Sequence, residues 1–223
     1  MMPFPGGIEE TANATLLFSF AAAVLYLFIV EARVSLARSA VKTASILLLA
    51  VLSAVRDGPF LLTAGLLLSS AGDAFLSRNG ERAFMGGLAS FLVAHLCYIA
   101  LFTLAGGGYG LILVDLWRMV VAVLMAGFML AMMVVLLPRV GPSLRGPVLA
   151  YGAAILMMGL SALTLDNYWI LVGAILFMAS DAILAAERFL TSGVSPNRLA
   201  MRIAVWIAYY AAQLTIALGV LLA

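Results

Sequence analysis

The sequence predicts an all-α, polytopic membrane protein with eight transmembrane helices. Of the 223 residues, 65% are hydrophobic and only 10% are charged, and the mean hydropathy is +1.18, whereas soluble domains carry about 25% charged residues. A spanning helix needs roughly 20 mostly apolar residues, and the chain has room for eight of them with short loops. We therefore expect a single integral membrane domain over residues 1–223. The net charge of +2 gives no reason to expect a nucleic-acid partner.

Eight apolar segments stand between clusters of turn-forming residues. They predict helices over 11–30, 41–55, 59–77, 83–104, 116–137, 145–164, 167–186 and 199–222. The breaks are Asp57-Gly58-Pro59, Asn79-Gly80, Gly106-Gly107-Gly108, Pro138 to Pro147, Asp166-Asn167 and Ser192-Gly193 to Pro196. The second helix is the shortest, so we expect it to tilt little or to stop below the far surface. The acidic start MMPFPGGIEE lacks the basic region of a signal peptide, so the first segment should remain a helix.

The basic residues predict the orientation of these helices. Alternate loops hold ten of the twelve, and the opposite side has only Arg56 and Arg118. The ten are Arg33, Arg38, Lys42, Arg78, Arg82, Arg139, Arg145, Arg188, Arg198 and Arg202. Because cytoplasmic loops are enriched in Lys and Arg, both termini should lie outside. We expect a multi-pass protein of a bacterial cytoplasmic membrane, in contact with membrane lipids.

Two predicted helices carry an aspartate in nearly the same setting, GLLLSSAGDAFL at 65–76 and GAILFMASDAIL at 173–184. Aligned on Asp73 and Asp181, six of the twelve positions are identical. Both helices run from outside to inside, so a parallel four-plus-four internal repeat is one interpretation. Chance similarity between two Ala- and Leu-rich helices is the other.

Ionisable residues inside a membrane span are costly and usually functional, so Asp73 and Asp181 are the first catalytic candidates. Burial disfavours a charged carboxylate, and two nearby carboxylates disfavour double ionisation, so one can hold a proton while the other stays ionised. That is an acid/base pair. The structural alternative is that each aspartate caps a neighbouring helix or pairs with Arg78 or Arg188.

The other polar side chains of the spans gather in the predicted cytoplasmic half and centre, which predicts a pocket open to that side. His95 is the only histidine and can carry protons; Phe91 and Tyr98 share its helix face. On the last helix Tyr209 and Gln213 share a face, beside Tyr210. Hydrogen bonding across helices is the structural alternative for all of them.

Metal catalysis is disfavoured, because a hydrolytic zinc site usually has three ligands and often several histidines. The chain has one His and one Cys, Cys97, so neither a His-rich site nor an intrachain disulfide can form. A His-Asp-Asp site remains formally open. We expect no cofactor.

Several stretches together resemble the YhhN-type family of membrane lysoplasmalogenases, which includes the transmembrane protein 86 proteins. They are GDAFLSRNGERAFMGGLASFLVAHLCYIALF, GAILFMASDAILAAERF and YYAAQL, and the likeness runs from Lys42 to Gln213. The resemblance implies an eight-helix enzyme that hydrolyses the vinyl ether of lysoplasmalogens. It places site residues at Lys42, Asp73, His95, Tyr98, Asp181, Tyr209 and Gln213. Many members have Lys-Pro where this chain has Lys42-Thr43, which affects the helix start more than the chemistry.

The expected reaction needs an acid to protonate the vinyl ether, an anion beside the oxocarbenium ion, and a base for water. We assign acid and base to Asp73 and Asp181, in no fixed order, with His95 orienting the water or the ether oxygen. The expected substrate-binding residues are Lys42 at the phosphate, Ser70, Tyr98, Ser180, Tyr209, Tyr210 and Gln213. The alternatives are a transporter or lipid-binding protein using the aspartates for coupling, and a structural scaffold, which would leave both aspartates unexplained.

Overall fold

The computed structural model describes residues 2–191 and 195–223, and every regular element in those ranges is an α-helix. In chain order they are α1 Thr11–Ile29, α2 Leu36–Val55, α3 Phe60–Leu76, α4 Glu81–Ala105, α5 Gly110–Val114, α6 Leu116–Leu136, α7 Pro142–Ala162, α8 Tyr168–Phe189 and α9 Arg198–Leu221. Seven are long and apolar enough to cross a membrane, and α3 is apolar but has 17 residues. The chain is therefore an all-α, polytopic membrane protein, as predicted.

The second helix is longer than the sequence predicted. It begins at Leu36 instead of residue 41 and has 20 residues, so α3 and not α2 is the shortest of the eight apolar helices. The hydroxyl of Ser35 accepts a hydrogen bond from the backbone N–H of Arg38 at 3.2 Å, which caps the helix start. An apolar periodicity misses such a polar first turn, because the cap and not the hydrophobic pattern fixes where the helix begins.

The break at the three consecutive glycines is only partly a loop. Gly108 has a φ of +89°, a left-handed conformation that suits glycine, but the short helix α5 follows from Gly110. The predicted break at Gly106-Gly107-Gly108 is confirmed, and α5 is a short helix that the sequence did not predict. The predicted break at Ser192-Gly193 to Pro196 falls partly outside the described residues, which do not include 192–194. Gly80, with a φ of +109°, ends the turn before α4, as expected.

Most of the basic residues expected in loops lie on terminal turns of helices. Lys42 is the seventh residue of α2 and not, as predicted, its second, and Arg202 is the fifth residue of α9. Long basic side chains can extend from such positions toward the interface, so the predicted orientation with both termini outside does not depend on where the helices end. That orientation, the four-plus-four repeat and the single domain stay predictions.

By its internal contacts the chain forms two compact units. Unit 1 comprises Met1–Tyr98 with Ala217–Ala223, and its α2 packs against both α1 and α3. The hydroxyl of Ser19 on α1 donates to the carbonyl of Ser45 at 2.6 Å. Fully buried Leu49 and Leu66 belong to its core.

Unit 2 comprises Ile99–Ile216, and its α7 packs against both α6 and α8. Its most buried cation is Arg118, 4% exposed, in the first turn of α6. The guanidinium donates from Nε to Asp115 at 2.7 Å, from Nη2 to Asp166, and from Nη1 to the carbonyls of Leu163 and Leu165. These bonds tie the start of α6 to the connection between α7 and α8.

Candidate functional site

Asp73 lies near the end of α3 and is only 1% exposed. Its Oδ1 is 2.9 Å from Nζ of Lys42, whose side chain is 15% exposed. A buried ion pair forms because each charge lowers the desolvation cost of the other. From the sequence, Arg78 was the expected structural partner of Asp73, and Lys42 was expected at the substrate phosphate. In the structure the ammonium group of Lys42 meets Asp73 instead, and its contact with a phosphate stays a prediction.

An aromatic ring and a second cation complete the surroundings of this pair. Tyr26 on α1 is 5% exposed, and Nζ of Lys42 lies 6.0 Å from the centre of its ring. The guanidinium of Arg38 is 5.9 Å from the same centre, and its Nη2 donates to the Tyr26 hydroxyl at 3.4 Å. The sequence reading did not include Tyr26 or Arg38 in the site. The signal that was available is the spacing of Arg38 and Lys42, four residues apart on one helix face.

The close approach of α3 and α4 positions the polar face of α4. An added Cβ on Gly65 would lie 2.9 Å from Cε1 of Tyr98, and one on Gly72 would lie 2.6 Å from Cε2 of Phe91. Both contacts are closer than a methyl group permits. The two glycines are therefore required for the aromatic side chains of α4 to approach α3 this closely.

His95 is fully buried one turn beyond Phe91. Its Nδ1 is 2.6 Å from the Phe91 carbonyl oxygen. A carbonyl can only accept, so Nδ1 carries the hydrogen, and in the neutral ring Nε2 is the basic nitrogen. Tyr98, also fully buried, lies on the same helix face, as predicted.

The two serines that precede the aspartates both donate to backbone carbonyls. Ser70 Oγ donates to the carbonyl of Thr43 on α2 at 3.1 Å, whereas Ser180 Oγ donates to Phe177 in its own helix at 2.9 Å. Ser70 therefore joins α3 to α2 beside the ion pair. For a substrate, both hydroxyls offer their oxygen as an acceptor.

Asp181 on α8 is half-buried, and its Oδ2 accepts a hydrogen bond of 2.9 Å from the hydroxyl of Tyr151 on α7. Tyr151 was not among the predicted site residues. The two aspartates also lie at different distances from the ends of their helices. Because α8 continues to Phe189, Asp181 lies eight residues, about 12 Å, from its helix end, against three residues, about 4.5 Å, for Asp73.

The candidate residues of α9 stand in an aromatic cluster of unit 2. Tyr209 meets Phe177 edge to face, with ring centres 5.4 Å apart, and Trp206 lies 5.9 Å from Tyr209 and 6.2 Å from Tyr210. Gln213, fully buried, follows one turn after Tyr209. The sequence reading missed Trp206, which is 3% exposed; its three-residue and four-residue spacing to the tyrosines was the available signal.

The structure places the candidates in both units. Lys42, Ser70, Asp73, His95 and Tyr98 belong to unit 1, and Ser180, Asp181, Tyr209, Tyr210 and Gln213 belong to unit 2. That the two aspartates act together stays a prediction.

The shallow cavity beside α6 and α8, about 60 Å³, contains none of these residues. It is lined by Trp117, Leu165, Asp166, Asn167, Tyr168 and Leu171. The pocket open to the cytoplasm stays a prediction. Within the described ranges, no three His, Cys, Asp or Glu side chains are grouped as metal ligands would be.

The model of the YhhN family matches residues 37–220, which include every candidate residue. Proteins named lysoplasmalogenase from Mycobacterium bovis and Mycobacterium tuberculosis are each 34% identical over 163 residues, which is 71% of this chain and 59% of the relative. The matched segment thus covers less than two thirds of those relatives. No solved structure gives a significant match. The family model extends from the second residue of α2 almost to the end of α9, and on that match the chain belongs to the YhhN family.

Proposed function

We propose that this protein hydrolyses the vinyl ether bond of lysoplasmalogens to a fatty aldehyde and a glycerophospho-ethanolamine or glycerophospho-choline. The observation that carries the proposal is the buried ion pair between Lys42 and Asp73, in a chain whose relatives are named for this hydrolase. That name also favours an enzyme over a carrier.

The chemistry divides into three steps. A proton is transferred to the β-carbon of the vinyl ether, and the ether oxygen stabilises the resulting cation as an oxocarbenium ion. Water adds to the cationic carbon and loses a proton. The hemiacetal then collapses, so the carbon–oxygen bond to glycerol breaks and the glycerol oxygen takes a proton. The protein must therefore supply an acid, an anion and a base.

Asp73 is suited to the roles of anion and base. The ammonium group of Lys42 at 2.9 Å favours the charged carboxylate, since opposite charges stabilise each other at this distance. A carboxylate fixed by an ion pair needs no reorganisation when the oxocarbenium ion forms, which is how preorganised charges lower a barrier. The same oxygen atoms can then accept the proton of the attacking water.

Asp181 is suited to the role of acid. One of its partners, the Tyr151 hydroxyl at 2.9 Å, is neutral and can donate to the carbonyl oxygen of a protonated carboxyl as well as to a carboxylate. Asp181 can therefore carry a proton without losing this bond. Protonation of Asp73, in contrast, would leave the ammonium group of Lys42 without its counter-charge. The different partners thus distinguish the two aspartates, as acids and bases are separated in other two-carboxyl enzymes.

The remaining candidates orient the substrate and water. We assign His95, whose Nδ1 contacts the Phe91 carbonyl and whose Nε2 is the basic nitrogen, to the attacking water. The proposed substrate-binding residues are Ser70 and Tyr98 in unit 1, and Ser180, Tyr209, Tyr210 and Gln213 in unit 2. The alkenyl chain of the substrate lies among apolar side chains, where its methylenes are removed from water.

The test is aldehyde release by the purified protein from 1-alkenyl-glycerophosphoethanolamine, with a chelator present. We expect turnover in the parent protein and a loss of at least about a hundredfold in Asp73→Asn and in Asp181→Asn, since acid–base groups contribute about 10²–10⁴-fold. The double variant should lose little more than either single variant, because groups that serve one step are not additive.

Folded variants with full activity would refute the assignment of the aspartates. A folded parent protein that cleaves no vinyl ether lipid would refute the hydrolase itself, and transport of the same lipid in proteoliposomes would then identify a carrier. Inhibition by the chelator, reversed by added metal, would contradict the metal-free chemistry.

A further inference from the structure

One turn before Lys42, α2 carries a second cation on the same face. Arg38 and Lys42 both lie about 6 Å from the centre of the Tyr26 ring. Lys42 has Asp73 as its counter-charge. Within the ranges that the structure describes, Arg38 takes part in no ion pair. The three groups Arg38, Lys42 and Asp73 together carry a formal charge of +1.

The hydrogen bonds of Arg38 leave room for such a ligand. Its Nη2 donates to the Tyr26 hydroxyl at 3.4 Å, which is a long bond. Its Nε is buried and has no hydrogen-bond partner among the described residues. A buried donor without an acceptor is costly, so each such group in a native protein requires an explanation. A ligand oxygen that accepts from Nε would supply it.

We propose that Arg38 binds the phosphate group of the lysophospholipid substrate, and that the vinyl ether then extends toward Asp73. This inference rests on the proposed function. A guanidinium group presents donors in a planar fork that fits two phosphate oxygens, a geometry an ammonium group does not offer. The phosphodiester carries one negative charge, opposite to that of the guanidinium.

The spacing along α2 agrees with the dimensions of the substrate. Arg38 is the third residue of the helix and Lys42 the seventh, so about 6 Å of helical rise separates them. Three glycerol carbons separate the phosphate ester from the vinyl ether, which is a comparable length. A phosphate at Arg38 therefore brings the reactive double bond to the level of the Lys42–Asp73 pair, deeper in the helix bundle of unit 1.

This arrangement assigns separate roles to the two cations. Arg38 holds the headgroup, and Lys42 maintains the charge of Asp73. A substitution of Arg38 should therefore affect substrate binding more than the chemical step, and only for substrates that contain a phosphate.

The test compares two vinyl ethers, 1-alkenyl-glycerophosphoethanolamine and 1-alkenylglycerol, which lacks the phosphate. With the first, Arg38→Gln should raise KM about tenfold and change kcat less than about twofold, and Arg38→Lys should recover part of the loss. With the second, Arg38→Gln and the parent protein should agree within about twofold. Arg33→Gln, an exposed arginine before α2, is the matched control and should change neither.

Equal effects of Arg38→Gln on both substrates, or no effect on either, would overturn the proposal. A parent protein that cleaves neither substrate would refute the hydrolase, and the phosphate site would then be judged by binding alone. For this, thermal stability in detergent is measured with an uncleavable 1-alkyl-glycerophosphoethanolamine and with 1-alkylglycerol.

The phosphate-containing ether should raise the Tm of the parent protein more than the alkylglycerol does, because a ligand that binds the folded state stabilises it. Arg38→Gln should abolish that difference. A difference that persists in the variant would overturn the proposal. So would an equal rise with a diacyl phosphatidylethanolamine, since the phosphate site would then serve membrane lipid in general and not the substrate.

Discussion

Nζ of Lys42 lies 2.9 Å from Oδ1 of Asp73, and the two residues are 31 positions apart in the sequence. Oδ2 of Asp181 accepts a hydrogen bond of the same length from the hydroxyl of Tyr151, which lies 30 positions earlier in the sequence. In both units the donor lies on the helix before the one that carries the aspartate: α2 before α3, and α7 before α8. The four-plus-four repeat itself stays a prediction. The two donors differ in charge, since Lys42 donates from an ammonium group and Tyr151 from a neutral hydroxyl.

Removal of the ammonium group should destabilise the protein more than removal of the whole pair. Lys42→Met leaves a carboxylate that is 1% exposed without its counter-charge, and breaking a buried pair in this way costs about 3–5 kcal/mol. The double variant Lys42→Met, Asp73→Asn carries no such charge and should regain much of the stability. Thermal unfolding in detergent measures both.

The matched control is Arg33→Met, which removes an exposed cation near the same helix end and should leave the Tm unchanged. A double variant that is less stable than Lys42→Met would show that Asp73 is neutral in the folded protein. The role of Asp73 as the ionised base would then be wrong.

Tyr151→Phe should weaken catalysis without unfolding the protein. The hydroxyl is half-buried and donates to Asp181 at 2.9 Å, so its loss removes one hydrogen bond, of about 0.5–1.5 kcal/mol, or about two- to tenfold in rate. We expect that fall in kcat for aldehyde release, together with a shift in the pH dependence of kcat because the surroundings of the acid change. Tyr168→Phe, on an exposed tyrosine at the start of the same α8, is the control. A lower kcat with an unchanged pH profile would show that Tyr151 only supports the helix packing.

The number of apolar helices and the position of the aspartates followed from the sequence, because membrane spans have strong signals in length and hydropathy. The helix ends did not follow. The start of α2 depends on the cap at Ser35, and α8 extends past its apolar segment to Phe189. Both errors concern polar turns, which a hydropathy pattern assigns to loops.

The site was predictable as a set of residues but not as a set of pairs. Asp73 and His95 are conspicuous because ionisable residues are rare in spans. The partners of the two aspartates are ordinary: Lys42, which meets Asp73, resembles a topology signal, and Tyr151, which meets Asp181, resembles any aromatic residue of a span. Which cation meets which carboxylate depends on how α2 is rotated against α3, and that rotation is set by packing and not by composition.

Gly72→Ala should damage the site through α4. The new methyl group would lie 2.6 Å from Cε2 of Phe91, so α4 or the Phe91 side chain must move. Such overpacking lowers the stability by about 1–3 kcal/mol. Since the Phe91 carbonyl holds Nδ1 of His95, we expect kcat for aldehyde release to fall as well as the Tm. Gly127→Ala on α6, where an added Cβ has no atom within 4 Å, should retain both. Full activity of a destabilised Gly72→Ala would show that the position of His95 is not critical.

Arg118→Met should reduce stability and leave the chemistry intact. The guanidinium is buried at 4% exposure and donates to the carbonyls of Leu163 and Leu165, which join α7 to α8. Buried carbonyls that lose their donor cost about 1–3 kcal/mol, so the Tm should fall by several degrees. Because none of these residues belongs to the candidate site, kcat measured well below the Tm should stay within about twofold of the parent protein.

Arg139→Met, an exposed arginine that bonds only the Val135 carbonyl of the preceding helix turn among its described contacts, should leave both values unchanged. A large loss of kcat in a folded Arg118→Met would mean that this end of unit 2 takes part in catalysis, and the assignment of Asp181 and Tyr151 as the functional part of that unit would have to be extended.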